Sequence, residues 1–303
     1  MKREVTKRGF NRYPSVLTKT SDLPAELRSP SLMQAIASKD IQTIVVFPPQ
    51  IQRGRQYIPK QGLLFSSTEM IHLLASIWPD QEPQITRLKA DSLMIVRVTL
   101  ILLYGLLEIV AHGNASPIRL SMEFSSTSWN YLSRPLRQLL LRVVQVAPGS
   151  ATEPGKYSLS VQKAFEKLPL KFYNGVRIYG LLPGEELEEL VFQPGVWKRW
   201  MYLFKRPDYA STMLLLTSHY LVILQEDLDD TYGWILSYIP RNIIIRMKNQ
   251  PCSQFNELTV ELKLGDQVSD YKFRLQDEAT QALREGWIKH GGQWKDLFSL
   301  SAP

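Results

Sequence analysis

The 303-residue sequence has one cysteine, Cys252, and four histidines, His72, His112, His219 and His290. A single thiol excludes an intrachain disulfide and a zinc site built on cysteines, and it suits a reducing cytoplasm. No histidine has a ligand-type partner at i+2, i+3 or i+4, and HExxH is absent. Also missing are GxGxxG, GxxxxGK[ST] and GxSxG, the loops that cradle phosphates or raise a nucleophile. The chain is therefore read as non-enzymatic, with no cofactor and no metal. The histidines are read as strand-packing or surface residues. No apolar stretch follows the first charges, which lead straight to Tyr13-Pro14-Ser15, so no secretory signal is read there.

Charge is unevenly spread. Residues 1–60 carry 11 Lys/Arg against 4 Asp/Glu, and the remaining 243 carry 25 of each. The net charge of +7 thus belongs to the start of the chain. Lys2, Arg3, Lys7, Arg8, Arg12 and Lys19 read either as a solvated tail or as an arm drawn to phosphates. Nucleic acid is the weaker of those targets, because no recognition helix or stacking motif accompanies the charge.

The sequence is also written twice. Leu23-Pro24, Val46-Phe47, Pro49, Ile51 and Arg53 recur, without a gap, as Leu168-Pro169, Val191-Phe192, Pro194, Val196 and Lys198. After a small shift, Gly62-Leu63-Leu64-Phe65-Ser66-Ser67 recurs as Met213-Leu214-Leu215-Leu216-Thr217-Ser218. Units this long read as duplicated domains rather than solenoid repeats. The repeat also bears on Ser92–Ala111, an apolar run long enough to span a bilayer but interrupted by Arg97 and Glu108. Its counterpart, 242–264, is two β-like runs around a polar turn. Residues 93–98 and 106–111 are therefore read as two buried strands turning near Tyr104-Gly105, with a transmembrane helix as the alternative.

Local pattern fills in the rest. Residues 31–38 suit a short helix and Ile41–Phe47 a strand. Ile118, Leu120, Met122 and Phe124 alternate with polar residues, as in a half-buried strand. Trp129, Leu132, Leu136, Leu139 and Leu140 have helical spacing, with Pro135 marking a start or a kink. A short helix is expected over 161–168. In the second copy, 185–192, 200–204, 212–225, 233–239, 241–248, 258–264 and 271–275 read as extended. A last helix opens at Asp277-Glu278 and ends at His290-Gly291-Gly292.

Each copy is thus a run of short antiparallel strands closed by one helix. Leu214-Leu215-Leu216-Thr217-Ser218-His219-Tyr220-Leu221-Val222-Ile223, Tyr238-Ile239-Pro240-Arg241-Asn242-Ile243, the 258–264 strand and the Trp287 helix together resemble the bacterial pleckstrin-homology-like domains. The resemblance covers most of 178–292, and reaches 35–141 mainly through the repeat. It implies a mainly β (α+β) chain of two duplicated curved β-sandwich or half-open barrel domains, each capped by a C-terminal helix. The expected layout is a basic arm (1–22), domain one (23–146), a linker (147–159), domain two (160–292) and a tail (293–303).

The resemblance also directs attention to the early hairpin of each copy. Relatives that bind phosphoinositides use cations there. In copy two these are Lys198, Arg199, Lys205 and Arg206, beside Trp197 and Trp200; in copy one, Arg53, Arg55 and Lys60 surround Tyr57. Tryptophans closing a core with solvated cations around them is the alternative reading of these clusters. Two acidic runs, 185–189 and 226–230, are read as solvated edges or turns. The expected role is recognition of a protein partner, or of anionic lipid headgroups, by a cytoplasmic protein peripheral to the inner membrane face. An enzyme with a dispersed active site is the alternative.

Overall fold

The computed structural model describes residues 14–37, 39–52, 56–78, 81–144, 163, 165–200, 204–227, 233–252 and 255–297; at 50–52, 56, 197–200 and 204–208 it describes the backbone alone. The chain divides into two compact units, Met1–Asp91 with Thr127–Arg142, and Ser92–Ser126 with Val143–Pro303. It is mainly β with several helices.

The first unit holds β1 (Ser15–Leu17), β2 (Ile41–Phe47), a small hairpin of β3 (Gln50–Gln52) and β4 (Gln56–Ile58), then β5 (Gln61–Ser66), β6 (Glu69–Leu74) and β7 (Gln84–Lys89). Five of these form an antiparallel sheet in the order β1-β2-β5-β6-β7. Helix α1 (Pro30–Ala37) opens at Ser29, whose Oγ accepts from the Leu32 amide at 3.1 Å and so satisfies one of the unpaired donors at a helix start. Leu32 and Ile36 of α1 join Leu23, Leu27, Ile44, Leu64, Ile71 and Leu73 in one apolar core. Helix α2 (Trp129–Val143) buries Trp129, Leu132, Leu136, Leu139 and Leu140, as the spacing predicts. It runs through Pro135 rather than starting there.

His72 on β6 is buried, and its Nε2 hydrogen-bonds Gln61 Oε1 at 3.0 Å. Burial pushes its pKa down from 6.5 to about 4. The unfolded chain therefore binds a proton that the folded chain refuses. Stability should fall as pH drops from about 6.5 toward about 4, by on the order of 3 kcal/mol through this group. In urea titrations at pH 7 and pH 4.5, His72→Gln should lose less stability on acidification than the wild type. Parallel losses would show that another group drives the acid sensitivity.

In the second unit, residues 92–111 are two strands: β8 (Leu93–Ile101) and β9 (Tyr104–Ala111), joined by Leu102-Leu103. Arg97 and Glu108, the charges that interrupt the apolar run, lie opposite one another in the ladder. Phe124 on β10 (Ile118–Ser125) is the register partner of Gly105 and covers it; a Cβ on Gly105 would lie 2.5 Å from the Phe124 ring. The strands β11 (Leu187–Gln193), β12 (Val196–Trp200), β13 (Phe204–Tyr209), β14 (Thr212–Thr217), β15 (Tyr220–Glu226) and β16 (Trp234–Pro240) follow. β8 pairs with β16, from Trp234 opposite Leu100 to Tyr238 opposite Val96. The result is one antiparallel seven-stranded sheet, β10-β9-β8-β16-β15-β14-β11. Residues 92–126, placed in domain one by the sequence reading, thus share a sheet with residues 187–240. The sequence pattern identifies strands, not the partners that their edges find.

A second sheet, β19-β18-β17-β20, comprises β17 (Ile244–Pro251), β18 (Asn256–Leu264), β19 (Gln267–Leu275) and β20 (Trp294–Asp296). Helix α3 (Leu170–Gly175), continued by a π-helical turn over Val176–Gly180, had no counterpart in the sequence reading. Helix α4 (Asp277–Lys289) ends at Gly291, whose φ of +81° suits glycine. The next residue must also be small, because a Cβ on Gly292 would sit 2.1 Å from the Trp287 indole. The tail then pairs parallel with β17, where no strand was expected. Met94 and Ile95 of β8 share a core with Leu214, Ile223 and Ile239 of the large sheet, Val260 and Phe273 of the small one, and Trp287 of α4.

The order of elements from β2 to α2 recurs from β11 to α4: strand, inserted hairpin, three strands, a 3₁₀ turn, three strands, helix. The second inserted hairpin is the longer, which accounts for the six-residue shift in the sequence repeat. Matching turns share their chemistry. Ser66 Oγ accepts from the Glu69 amide, and Thr217 Oγ1 from the Tyr220 amide, both at 3.0 Å. The residue two before the first strand reaches this turn through its side chain in each case: Lys39 pairs with Glu69, and Glu185 hydrogen-bonds His219.

Candidate functional site

The basic hairpin expected in copy two is the β12–β13 ribbon. Its register sets Lys198 opposite Arg206, Arg199 opposite Lys205, Trp197 opposite Pro207 and Trp200 opposite Phe204. Two successive rungs therefore carry like charges, an arrangement that weakens a strand pair on its own. In copy one the corresponding residues do not form such a ribbon among the described residues. Arg53 and Arg55 lie outside them. Tyr57 on β4 is exposed. Lys60 donates to Glu26 at 2.8 Å and is paired there, and this hydrogen bond holds the Glu26 carboxyl below the usual range.

The foot of the β12–β13 ribbon opens on a cleft of about 430 Å³. Tyr209 and Ala210 leave the ribbon into its wall, and Asp270 to Arg274 of β19 form another side. Arg97 reaches it from β8. Three cations, Arg97, Lys272 and Arg274, and one carboxylate, Asp270, thus line it. Arg97 Nε is buried with no hydrogen-bond partner among the described residues, and its ion-pair oxygen, Glu108 Oε2, stands 3.8 Å away. Lys272 is more than half exposed and meets Glu257 at 3.1 Å. The Arg274 guanidinium lies 4.6 Å from the centre of the Phe255 ring, which in turn packs against Tyr209. Thr212 and Gln225 supply neutral polar groups, Gln225 Nε2 donating to Thr212 Oγ1 at 3.1 Å. An anion is the species such a wall accommodates, since guanidinium and ammonium groups have donors to spare and no acceptors.

None of these three cations was singled out as a ligand group from sequence. Arg97 did carry a signal, as a charge inside an apolar run, but it was read only as an argument against a membrane span. Lys272 and Arg274 alternate with the inward Tyr271 and Phe273, so they read as the solvated side of a strand.

A second polar cluster occupies the other end of the same strands. Glu185, expected to be solvated, is buried. It accepts from Thr217 Oγ1 at 2.7 Å, Ser218 Oγ at 3.3 Å, the His219 amide at 3.0 Å and His219 Nδ1 at 2.8 Å. Tyr220 beside it is fully buried, and burial, with the Glu185 charge behind it, pushes its hydroxyl pKa up. Arg241 donates to Glu188 at 2.6 Å, to the Thr217 carbonyl at 2.7 Å and to the His290 carbonyl at 3.2 Å, with its guanidinium over Trp287. His290 Nδ1 also meets Glu188 at 3.1 Å. These groups satisfy one another and tie β11, the β14–β15 turn and the end of α4 together, which is a stabilising role.

Among the described residues no group of three or more His, Cys, Asp or Glu side chains is placed to hold a metal ion. The acidic run at 226–230 passes outside them after Asp227. No described helix is long and apolar enough to cross a membrane. No family model matches the chain, and no curated protein matches it.

Proposed function

We propose that this chain is a non-enzymatic, cytoplasmic binding protein of two duplicated pleckstrin-homology-like domains that recognises anionic phospholipid headgroups at the inner membrane face. The observation that carries the reading is the cleft of Arg97, Lys272 and Arg274 at the foot of a ribbon with two like-charged rungs. Phosphate oxygens would meet the cationic groups of Arg97, Lys272 and Arg274 that line this cleft. The recurrent order of elements and the shared turn chemistry support the duplication. The cleft lining has a single carboxylate and no histidine, which favours binding over acid–base catalysis.

The test is co-sedimentation with vesicles of phosphatidylcholine, alone or mixed with phosphatidylserine, at low and physiological salt. Binding should need the anionic lipid and weaken with salt. Lys272→Glu with Arg274→Glu, and separately Lys198→Glu with Arg199→Glu, should each weaken it by at least about thirtyfold, at about 1 kcal/mol per cation near the surface. Unchanged binding by both double variants would remove this surface from consideration. No binding of the wild type at either salt would direct attention to a protein partner.

A further inference from the structure

Leu102 and Leu103 form the two-residue turn between β8 and β9, and both are exposed, at 69% and 75%. Leu102 also has a φ of +44°, and no other described non-glycine residue has a positive φ. Two-residue hairpin turns with positive φ at the first central position favour glycine there, and leucine pays a steric penalty. The turn is braced in this conformation: the Ser126 hydroxyl donates to the Leu102 carbonyl, and the Ser126 amide to that of Leu103 at 3.2 Å. A strained backbone that presents two apolar side chains to water is costly twice over, so the fold alone does not explain it.

Its position suggests what does. The large sheet is antiparallel throughout, so the strand ends fall alternately at its two ends. Leu100 pairs with Trp234, and Glu226 with Trp234 from the other side. Gln225 pairs with Thr212, and Thr212 with Gln193. The Leu102-Leu103 tip therefore lies at the same end of the same sheet as Gln225 and Thr212 of the cleft, and as the strand ends that carry the β12–β13 ribbon. Around the tip are Tyr104 and Trp234, residue types suited to the membrane–water boundary. Glu226 and Asp227 are carboxylates at this end of β15; Glu226 is paired with Lys171 at 2.6 Å, and that ammonium also lies over the Trp234 ring.

We propose that the Leu102-Leu103 tip enters the apolar boundary of the bilayer while the adjacent cleft and ribbon hold anionic headgroups. This inference rests on the headgroup reading above. It adds a second, charge-independent contribution to attachment. The occupant is a membrane because the cleft at the same end of the sheet is lined by Arg97, Lys272 and Arg274, and an anionic, extended surface can meet cleft and tip together.

The test replaces Leu102→Gly with Leu103→Ser. Glycine relieves the positive φ, so the variant should fold at least as stably as the wild type, which thermal unfolding checks. Its binding to phosphatidylserine-containing vesicles should fall about tenfold to hundredfold, the loss expected for two partly buried leucines. In parallel, an environment-sensitive fluorophore on Leu103→Cys, in a Cys252→Ser background, should be quenched by brominated acyl chains. Equal binding by wild type and the glycine–serine variant, with no quenching, would overturn the tip inference and leave the headgroup reading intact. A tip that docks on a protein would also give this result. Absence of any vesicle binding by the wild type would overturn both.

Discussion

A fragment of residues 147–303 should be less stable than the same region in the full chain by about 5 kcal/mol, and should associate with itself. The fragment corresponds closely to the second domain as the sequence divides it, yet it lacks β8. Two buried side chains, Met94 and Ile95, leave its core, and large-to-nothing changes of that kind cost about 2–5 kcal/mol each before relaxation. The edge of β16 from Trp234 to Tyr238 loses its partner and becomes an apolar template for another chain. Urea unfolding, and hydrogen exchange at the β16 amides, would show it. Exchange as slow in the fragment as in the full chain would mean that β8 is dispensable, and the seven-stranded sheet would then be a weak association.

Glu185→Leu should destabilise the second unit by about 3 kcal/mol. The substitution removes the acceptor for two hydroxyls, one amide and one ring N–H at the β14–β15 turn. Thr217 is buried and keeps the Tyr220 carbonyl, at 3.2 Å, as an acceptor, whereas His219 is partly exposed and can turn to water. The loss should therefore fall short of four full unpaired donors. Glu188→Gln is the useful contrast: it retains an acceptor for Arg241 at a partly exposed site and should cost about 1 kcal/mol or less. If both variants unfold at the same urea concentration, the buried carboxylate has no special place in the turn.

How far the fold was legible depends on the kind of information that each element needed. The alternation of Ile118 to Phe124 and the spacing of Trp129 to Leu140 are local, and both elements are where the pattern puts them. The apolar run over 92–111 was ambiguous by itself. Comparison with 242–264 resolved it as two strands, because a repeated order carries more information than one window. What local pattern could not supply was pairing. Strands β7 and β8 are adjacent in sequence, yet β8 takes its partner from β16. Edge compatibility, rather than sequence proximity, decides that choice. The same limit applies to the cleft: Arg97 and Arg274 approach one set of walls from strands far apart in the chain. Glu185 was misread for a different reason. In a run of four glutamates composition suggests solvent, and only the turn chemistry of Thr217 to His219 makes one of them internal.

The pairing of β8 with β16 also has a consequence during synthesis. Leu100 is made about 134 residues before Trp234. At ribosomal speeds of about 5–20 residues per second, the apolar β8–β10 meander leaves the tunnel roughly ten seconds before the strand that covers its edge exists. Through that interval the nascent chain carries an open, sticky edge, and its yield in a cell should depend on chaperones that recognise early chains more than on the stability of the finished fold.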